Sequence, residues 1–523
     1  MPAPDGAPPA LALEGVTKRF GALLANDGVD LALGRGEVLA LVGENGAGKT
    51  TLMSILFGHY RADTGRVRVA NADGALVDLP PGSPRAALEA GIGMVHQHFA
   101  LAESLTALEN VVLGARPLSS PTLRLGEARR RLGALMRESG LTVDPDRRVA
   151  GLSVGEKQRV EILKVLYRGA RVLVLDEPTA VLTPQQADGL FRTLRRLADR
   201  QASQGIGGLS VILISHKLDE VLRVADRVVV LRGGRKVADR PCAGADRATL
   251  AALMVGREVK APPRAGRTAP GSAVLVLDRV EVPGGEATRV GLSEVSLSLR
   301  VGEILGVAGV SGNGQSALAN LVAGIVRASA GRVMVAEHPL TPTPRAAIRA
   351  GIARLPEDRH HEGVAGALTI AETLALESLS APSVQRLGFL RERAMRERAQ
   401  AIIAAYDVRC PGPDAPLRQL SGGNVQKVLL ARVLEAEPPP RVVLANQPTR
   451  GLDVGAAADI HGRLIEARAR GAAVLLITED LDELFALADR VAVLAGGKLS
   501  EPVPAETLGV AELGLLMAGR AAA

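Results

Sequence analysis

The chain has 523 residues, a formal net charge of +7 and a sequence pI of about 9.7. That length exceeds one hydrophobic core and suits two to four domains. Aromatic residues make up 2%, and no run of 18 apolar residues occurs, which argues against a base-stacking surface for single-stranded nucleic acid and against a chain that spans a membrane alone. Residues 1–8 fall in a Pro/Ala-rich start without an apolar run, so they read as a frayed tail rather than a signal segment. The basic clusters Arg129–Arg131 and Arg391–Arg398 lie in Glu-containing, helix-like stretches and read as solvated helix faces. Cys242 and Cys410 are too few for a disulfide framework and lack metal-site spacing, so both read as reduced thiols.

In chain order, the first strong element is an apolar strand, Val38–Val42. The residues after it, Gly43-Glu44-Asn45-Gly46-Ala47-Gly48-Lys49-Thr50, satisfy the phosphate-loop pattern, and Thr51–Leu56 has a helical spacing. Glycines let backbone N–H groups wrap phosphates at a helix N-terminus. Lys49 is placed for the terminal phosphates, and the Thr50 hydroxyl for magnesium. Farther on, Val172–Leu175 reads as a buried strand that ends in Asp176-Glu177. A buried carboxylate is costly unless it serves an ion, and Glu177 beside it is placed to polarise an attacking water.

The chain then repeats itself. Gly36–Gly43 returns as Gly302–Gly309, 266 positions later, and Leu213–Glu220 returns as Leu476–Glu483, 263 positions later. Two related domains result, over 9–258 and 274–518, joined by a Pro/Gly-rich linker over 259–273. The second copy of the strand motif ends in Asn446-Gln447, where the first has Asp176-Glu177. An amide neither holds magnesium well nor takes a proton from water.

Leu152–Gln158 and Leu420–Gln426 resemble the signature motif of ATP-binding-cassette (ABC) ATPases. Gln97 resembles their glutamine loop, His216 their switch histidine, and Phe20 the aromatic that stacks on adenine. The resemblance covers almost the whole chain. It implies an α/β fold of two tandem P-loop NTPase cassettes, each with a mostly parallel sheet core, an antiparallel β part and a helical subdomain. It also implies ATP and Mg2+ as cofactors. Gly43 to Thr51 and Phe20 would bind ATP, with Thr50, Gln97 and Asp176 around the metal and Glu177, His216 and Gln97 in catalysis.

In that family two cassettes pair head to tail, and each ATP lies between the phosphate loop of one and the signature of the other. Applied here, one site combines Lys49, Gln97, Asp176, Glu177 and His216 with Ser421, Gly422 and Gly423, and is chemically complete. The other has Gln315 in place of lysine, Glu357 near the expected glutamine, Asn446-Gln447 in place of carboxylates, and Glu479 in place of histidine. It faces a signature with Val154 where glycine is usual. The loop aspartate agrees: Asp453 would face the complete site and Thr183 the degenerate one. Loss of the lysine charge removes an attraction of about 4 kcal/mol at 4 Å and effective dielectric 20. One hydrolytic site and one degenerate site are expected.

Fused cassettes, no spanning segment and a disarmed second site are similar to the ATPase subunits of bacterial importers of simple sugars and nucleosides. Gln447–Gly455 and Leu355–Arg359 carry that similarity, while Met94–Phe99 and Gly309–Ser316 look closer to the nucleoside importers. The resemblance implies two membrane permease subunits docking near the Gln97 loop and the helical segment from about Ala102 to Arg168. It further implies an extracytoplasmic solute-binding protein, no nucleic-acid partner, and a peripheral place on the cytoplasmic face of a bacterial membrane. A ribose/galactose importer is the alternative reading. A soluble tandem ATPase of the ribosome or nucleic acid is remote, because those usually keep both sites and carry a long charged arm between cassettes.

Overall fold

The computed structural model describes residues 8–21, 23–71, 73–96, 99–115, 124–179, 182, 184–199, 208–215, 217–256, 271–285, 290–309, 312–509 and 513. The chain forms two compact units, Met1–Val259 and Lys260–Ala523. The terminal residues 1–7 and most of the expected linker, residues 257–270, lie outside the described residues.

The sheet core of the first unit follows from runs of Val, Leu and Ile that are apolar on both faces, as parallel strands covered on both sides require. Its strands run in the order Arg235–Pro241, Arg227–Arg232, Val38–Val42, Ser210–Ile214, Val172–Asp176, Ile92–Val95. The pairings are parallel except at the edge hairpin of the first two. Alternate residues point to opposite faces. Leu39, Leu41, Val174 and Ile212 meet Leu52, Met53 and Leu56 of the helix Lys49–Leu56, together with Leu11 and Leu13 of an antiparallel sheet. Val38, Leu173, Leu175 and Val211 meet a helical layer built from Ala107–Val112, Leu125–Ser139 and Val154–Tyr167. The antiparallel sheet orders Leu23–Leu33, Leu11–Phe20, Thr64–Ala70 and Leu76–Asp78.

The second unit repeats this plan. Ile352–Leu355, Val442–Asn446, Ala473–Thr478, Ile304–Ala308 and Arg490–Ala495 form its core sheet, and Leu292–Arg300, Ala273–Val282, Ala330–Val335 and His338–Pro339 its antiparallel one. Its helical layer holds Ile370–Ala375, Glu392–Ala405 and Gly422–Leu434. The α/β architecture expected from the sequence is therefore present in both halves.

Polar staples repeat as well. Arg227 grips Glu37 at 2.7 Å and Arg490 grips Glu303 at 2.6 Å. Thr106 and Thr369 head capping boxes with Glu109 and Glu372. The basic clusters lie on helices: Arg129 pairs with Asp146, Arg393 with Glu397 and Arg396 with Asp414. No helix among the described residues is long and apolar enough to cross a membrane.

Candidate nucleotide site

The loop after Val38–Val42 is shaped by a close approach that only glycine allows. At Gly48, φ is +96°, and a Cβ would fall 2.3 Å from the Ala25 carbonyl oxygen. Asn26, fully buried, donates to the Gly48 carbonyl at 3.2 Å. Lys49 starts the helix Lys49–Leu56, and its buried Nζ donates to the carbonyls of Gly43 (2.7 Å) and Glu44 (2.9 Å). Gly46 has φ +84° and the Ala47 N–H donates to the Glu44 carbonyl at 3.0 Å. Thr50 is exposed and Thr51 half-buried at the helix start.

The strand Val172–Asp176 brings its terminal carboxylate to this loop. Burial, then the neighbouring Glu177, pushes the Asp176 carboxyl up to about 6, while Lys49 pulls the other way. A carboxylate held in this way has strong use for a cation. Glu177 takes left-handed backbone, φ +47°, and its N–H donates to the Ile214 carbonyl at 2.9 Å. A non-glycine residue in that region stores strain, which is typical of functional sites. Below it, Thr179 donates to Glu220 at 2.6 Å and ties this segment to the helix Leu218–Val224.

Phe20 is 42% exposed and packs edge-on against Tyr60, with ring centroids 5.4 Å apart; Lys18 Nζ lies 5.4 Å from the Phe20 centroid. Tyr60 was not legible as part of this platform, because its only sequence signal is an isolated exposed aromatic after a helix. Gln97, His216 and Thr183 lie outside the described residues. Beside the Gln97 position, His96 stacks on His59 with centroids 6.1 Å apart, and burial with His59 holds its pKa below the ordinary imidazole value.

The second unit keeps the backbone and changes the side chains. Gln447 has φ +51°, and its N–H donates to the Ile477 carbonyl at 2.8 Å. Asn446 is 3% exposed and its Oδ1 has no hydrogen-bond partner. Gln315 is buried and its Oε1 accepts from the Asn313 N–H at 2.9 Å. Glu479 donates its N–H to Gln447 Oε1 at 3.5 Å, and Glu357 pairs with Arg450.

The two signatures also differ. Ser153 caps the helix Val154–Tyr167 and is committed to a reciprocal box with Glu156. Ser421 leads the helix Gly422–Leu434 without such a box. Its hydroxyl accepts from Asn424 Nδ2 at 2.9 Å, and Asn424 Oδ1 accepts from the Arg409 N–H at 2.8 Å. Gly422 and Gly423 form the first turn of that helix. Cys410, next to Arg409, is half-buried, whereas Cys242 is buried, its thiol pushed up to about 11 by burial and by Asp226.

The family model described as ABC transporter matches residues 26–180 and 292–450, one match in each unit. The chain belongs to the ABC transporter family. Its ABC relatives align over nearly their whole length. The nucleoside import ATP-binding protein NupA of Lactococcus lactis is 41% identical, over 96% of this chain and 97% of that one. The glucose import ATP-binding protein TsgD13 of Haloferax volcanii is 41% identical, over 98% and 96%. The ribose import ATP-binding protein RbsA 1 of Rubrobacter xylanophilus is 40% identical, over 95% and 96%. A solved structure titled RNase-L Inhibitor covers 94% of this chain and 90% of its own with a TM-score of 0.61 at 19% identity, a likeness of fold alone. The protein is thus a two-cassette ABC import ATPase that binds ATP.

Proposed function

We propose that this ATPase drives the uptake of nucleosides through a membrane permease, using one hydrolytic site. The observation that carries the single-site reading is the contrast at the two strand ends. Asp176-Glu177 and Asn446-Gln447 share a left-handed backbone and its hydrogen bond, but only the first pair bears carboxylates. The competent site would combine the loop Gly43–Thr51, Phe20, Asp176, Glu177, Gln97 and His216 with Ser421, Gly422 and Gly423 of the other cassette.

Backbone N–H groups of the loop and the start of the helix Lys49–Leu56 would cradle the phosphates. Lys49 would exchange its two carbonyl partners for the terminal phosphate oxygens. Mg2+ takes oxygen ligands, and few protein ligands beside substrate phosphates suit it. Thr50, Asp176 and Gln97 would hold that ion, which neutralises charge on the phosphates when bound. Glu177 would orient the attacking water and accept its proton as oxygen bonds to the γ-phosphorus and the bond to ADP breaks.

The permease would dock in a cleft of the first unit, about 160 Å³, lined by Phe57, Gly93, His96, Glu161, Lys164 and Arg168. This cleft is lined by His96 and by Glu161, Lys164 and Val165 of the helix Val154–Tyr167, where a rigid shift of the helical layer would reach the permease. The subunit would then lie on the cytoplasmic face of the membrane, with a solute-binding protein on the far side. Nucleosides are favoured by the motifs Met94–Phe99 and Gly309–Ser316.

Uptake of labelled adenosine and labelled ribose by cells lacking the gene, complemented with wild type or Lys49→Ala, tests this. Loss of adenosine uptake alone, restored only by wild type, is expected. Loss of ribose uptake alone would overturn the nucleoside reading in favour of a sugar.

A further inference from the structure

The segment that stands where the resemblance puts a glutamine loop in the second unit has a different task. It runs from the edge strand Ile352–Leu355 through Pro356-Glu357-Asp358-Arg359 into one π-helical turn, Arg359–Gly363. Such turns are rare and concentrate at functional sites. The Asp358 carbonyl accepts from the N–H groups of Glu362 and Gly363, each at 3.0 Å, and fixes the turn.

From this turn Arg359 reaches the signature. A Cβ on Gly422 would fall 2.9 Å from Arg359 Nη2, 3.1 Å from Cζ and 3.2 Å from Nε, so the guanidinium lies against the face that glycine leaves bare. Arg359 Nη1 also donates to the Arg450 carbonyl at 3.1 Å, and the Arg450 side chain returns to Glu357. The other end of the same turn holds the far part of the signature helix: Arg432 Nη1, buried, donates to the Gly363 carbonyl at 2.8 Å. Between them, Gln426 Nε2 donates to the Pro448 carbonyl at 2.7 Å. The segment 356–363 therefore grips the helix Gly422–Leu434 at both ends, and Arg359 is its contact with the residue next to Ser421.

The first unit is built otherwise. The position of Gly422 is taken by Val154, whose side chain is 41% exposed, and the sequence from His96 to Glu103 contains no arginine. Its signature serine is set by the box with Glu156 instead. The two halves thus set their signatures by different means.

We propose that Arg359 is a positioning residue for ATP hydrolysis: it holds Ser421, Gly422 and Gly423 from a segment whose own cassette has lost its nucleotide chemistry. This rests on the reading that Ser421–Gly423 complete the site containing Lys49. The degenerate half then acts on turnover at the other site, by setting the loop that must meet the γ-phosphate. A planar guanidinium suits this role, because it can lie flat on a glycine and still donate sideways; an ammonium can do only the second.

The test is steady-state ATPase kinetics on the full chain for Arg359→Ala, Arg359→Lys, Gly422→Ala, the Arg359→Ala/Gly422→Ala double variant and Ser421→Arg, with a thermal midpoint for each. Arg359→Ala is expected to lower kcat about tenfold while KM for ATP stays within about twofold, since a small misplacement costs chemistry more than binding. Arg359→Lys should fall between wild type and Arg359→Ala. Gly422→Ala puts a methyl where the guanidinium lies, so it should act on the same linkage, and the double variant should be no worse than the poorer single. Thermal midpoints should stay unchanged. A kcat unaffected by Arg359→Ala, while Ser421→Arg abolishes turnover, would overturn the role of Arg359 and leave the composite site standing. A fall in kcat matched by a fall in thermal midpoint, additive with Gly422→Ala, would overturn it as well. Normal turnover in Ser421→Arg would instead overturn the composite-site reading.

Discussion

The strand ends at Asp176-Glu177 and Asn446-Gln447 are the same backbone carrying different chemistry. Each places a non-glycine residue in left-handed space, φ +47° and +51°, and each ties that residue's N–H to the neighbouring strand, at 2.9 Å and 2.8 Å. Around them the sheets, caps and Arg–Glu staples also match. At these two strand ends the difference is confined to the side chains, carboxylates in one unit and amides in the other. The strained turn therefore belongs to the fold both units share, and the proposed reaction differs between them through the carboxylates alone at this point.

The strongest loss is expected at Glu177. Glu177→Gln is expected to reduce ATP turnover at least about a hundredfold, as loss of the water-activating group does, while Gln447→Glu changes it less than about twofold. A phosphate-release assay on both variants reads this directly. Equal effects in the two halves would mean that the second site also turns over.

The two strand ends also differ in what their side chains cost the fold. Asp176 has a folded pKa of about 6 against an ordinary 3.8, so its charge opposes folding. Because the folded value is raised, the folded protein holds the proton more tightly, and stability falls as pH rises from 3.8 through about 6. Asp176→Asn removes that slope, and without nucleotide or Mg2+ it should be more stable than wild type at pH 8 by about 1–2 kcal/mol, although inactive. The reverse change, Asn446→Asp, puts a carboxylate in a position 3% exposed, where Oδ1 already lacks a partner, and should cost about 2 kcal/mol. Thermal melts at pH 5 and pH 8 separate the two.

The smallest effect is expected at Phe20, for which the sequence 273–300 at the start of the second unit holds no aromatic counterpart. Phe20 is half-exposed beside Tyr60, so Phe20→Ala is expected to raise KM for ATP about fivefold with kcat nearly unchanged, the low end of what stacking on a base contributes.

Much of this was legible in the sequence for a definite reason. Val38–Val42 and Val172–Leu175 are apolar without alternation because both faces of the sheet are covered, and Gly43 and Gly48 stand where backbone crowds backbone. The helical segment after Ala102 was readable as helical, but not its division into the helices Ala107–Val112, Leu125–Ser139 and Val154–Tyr167, which pack into one cluster with the sheet. The contact of Arg359 with Gly422 could not be read at all. It joins residues 63 positions apart through a π-helical turn that local propensity does not encode. The Phe20–Tyr60 pair is hidden for the same reason, since it needs the strand Leu11–Phe20 to be laid beside the helix Lys49–Leu56.

The two sulfurs have unequal access, and that is of practical use. Cys242 is enclosed and its thiolate is disfavoured, whereas Cys410 is half-buried and adjoins the residue whose N–H holds Asn424, which in turn holds Ser421. A thiol-reactive fluorophore would settle on Cys410 of the wild-type chain, without any engineering. It would then give an optical readout from a point two hydrogen bonds away from the signature serine.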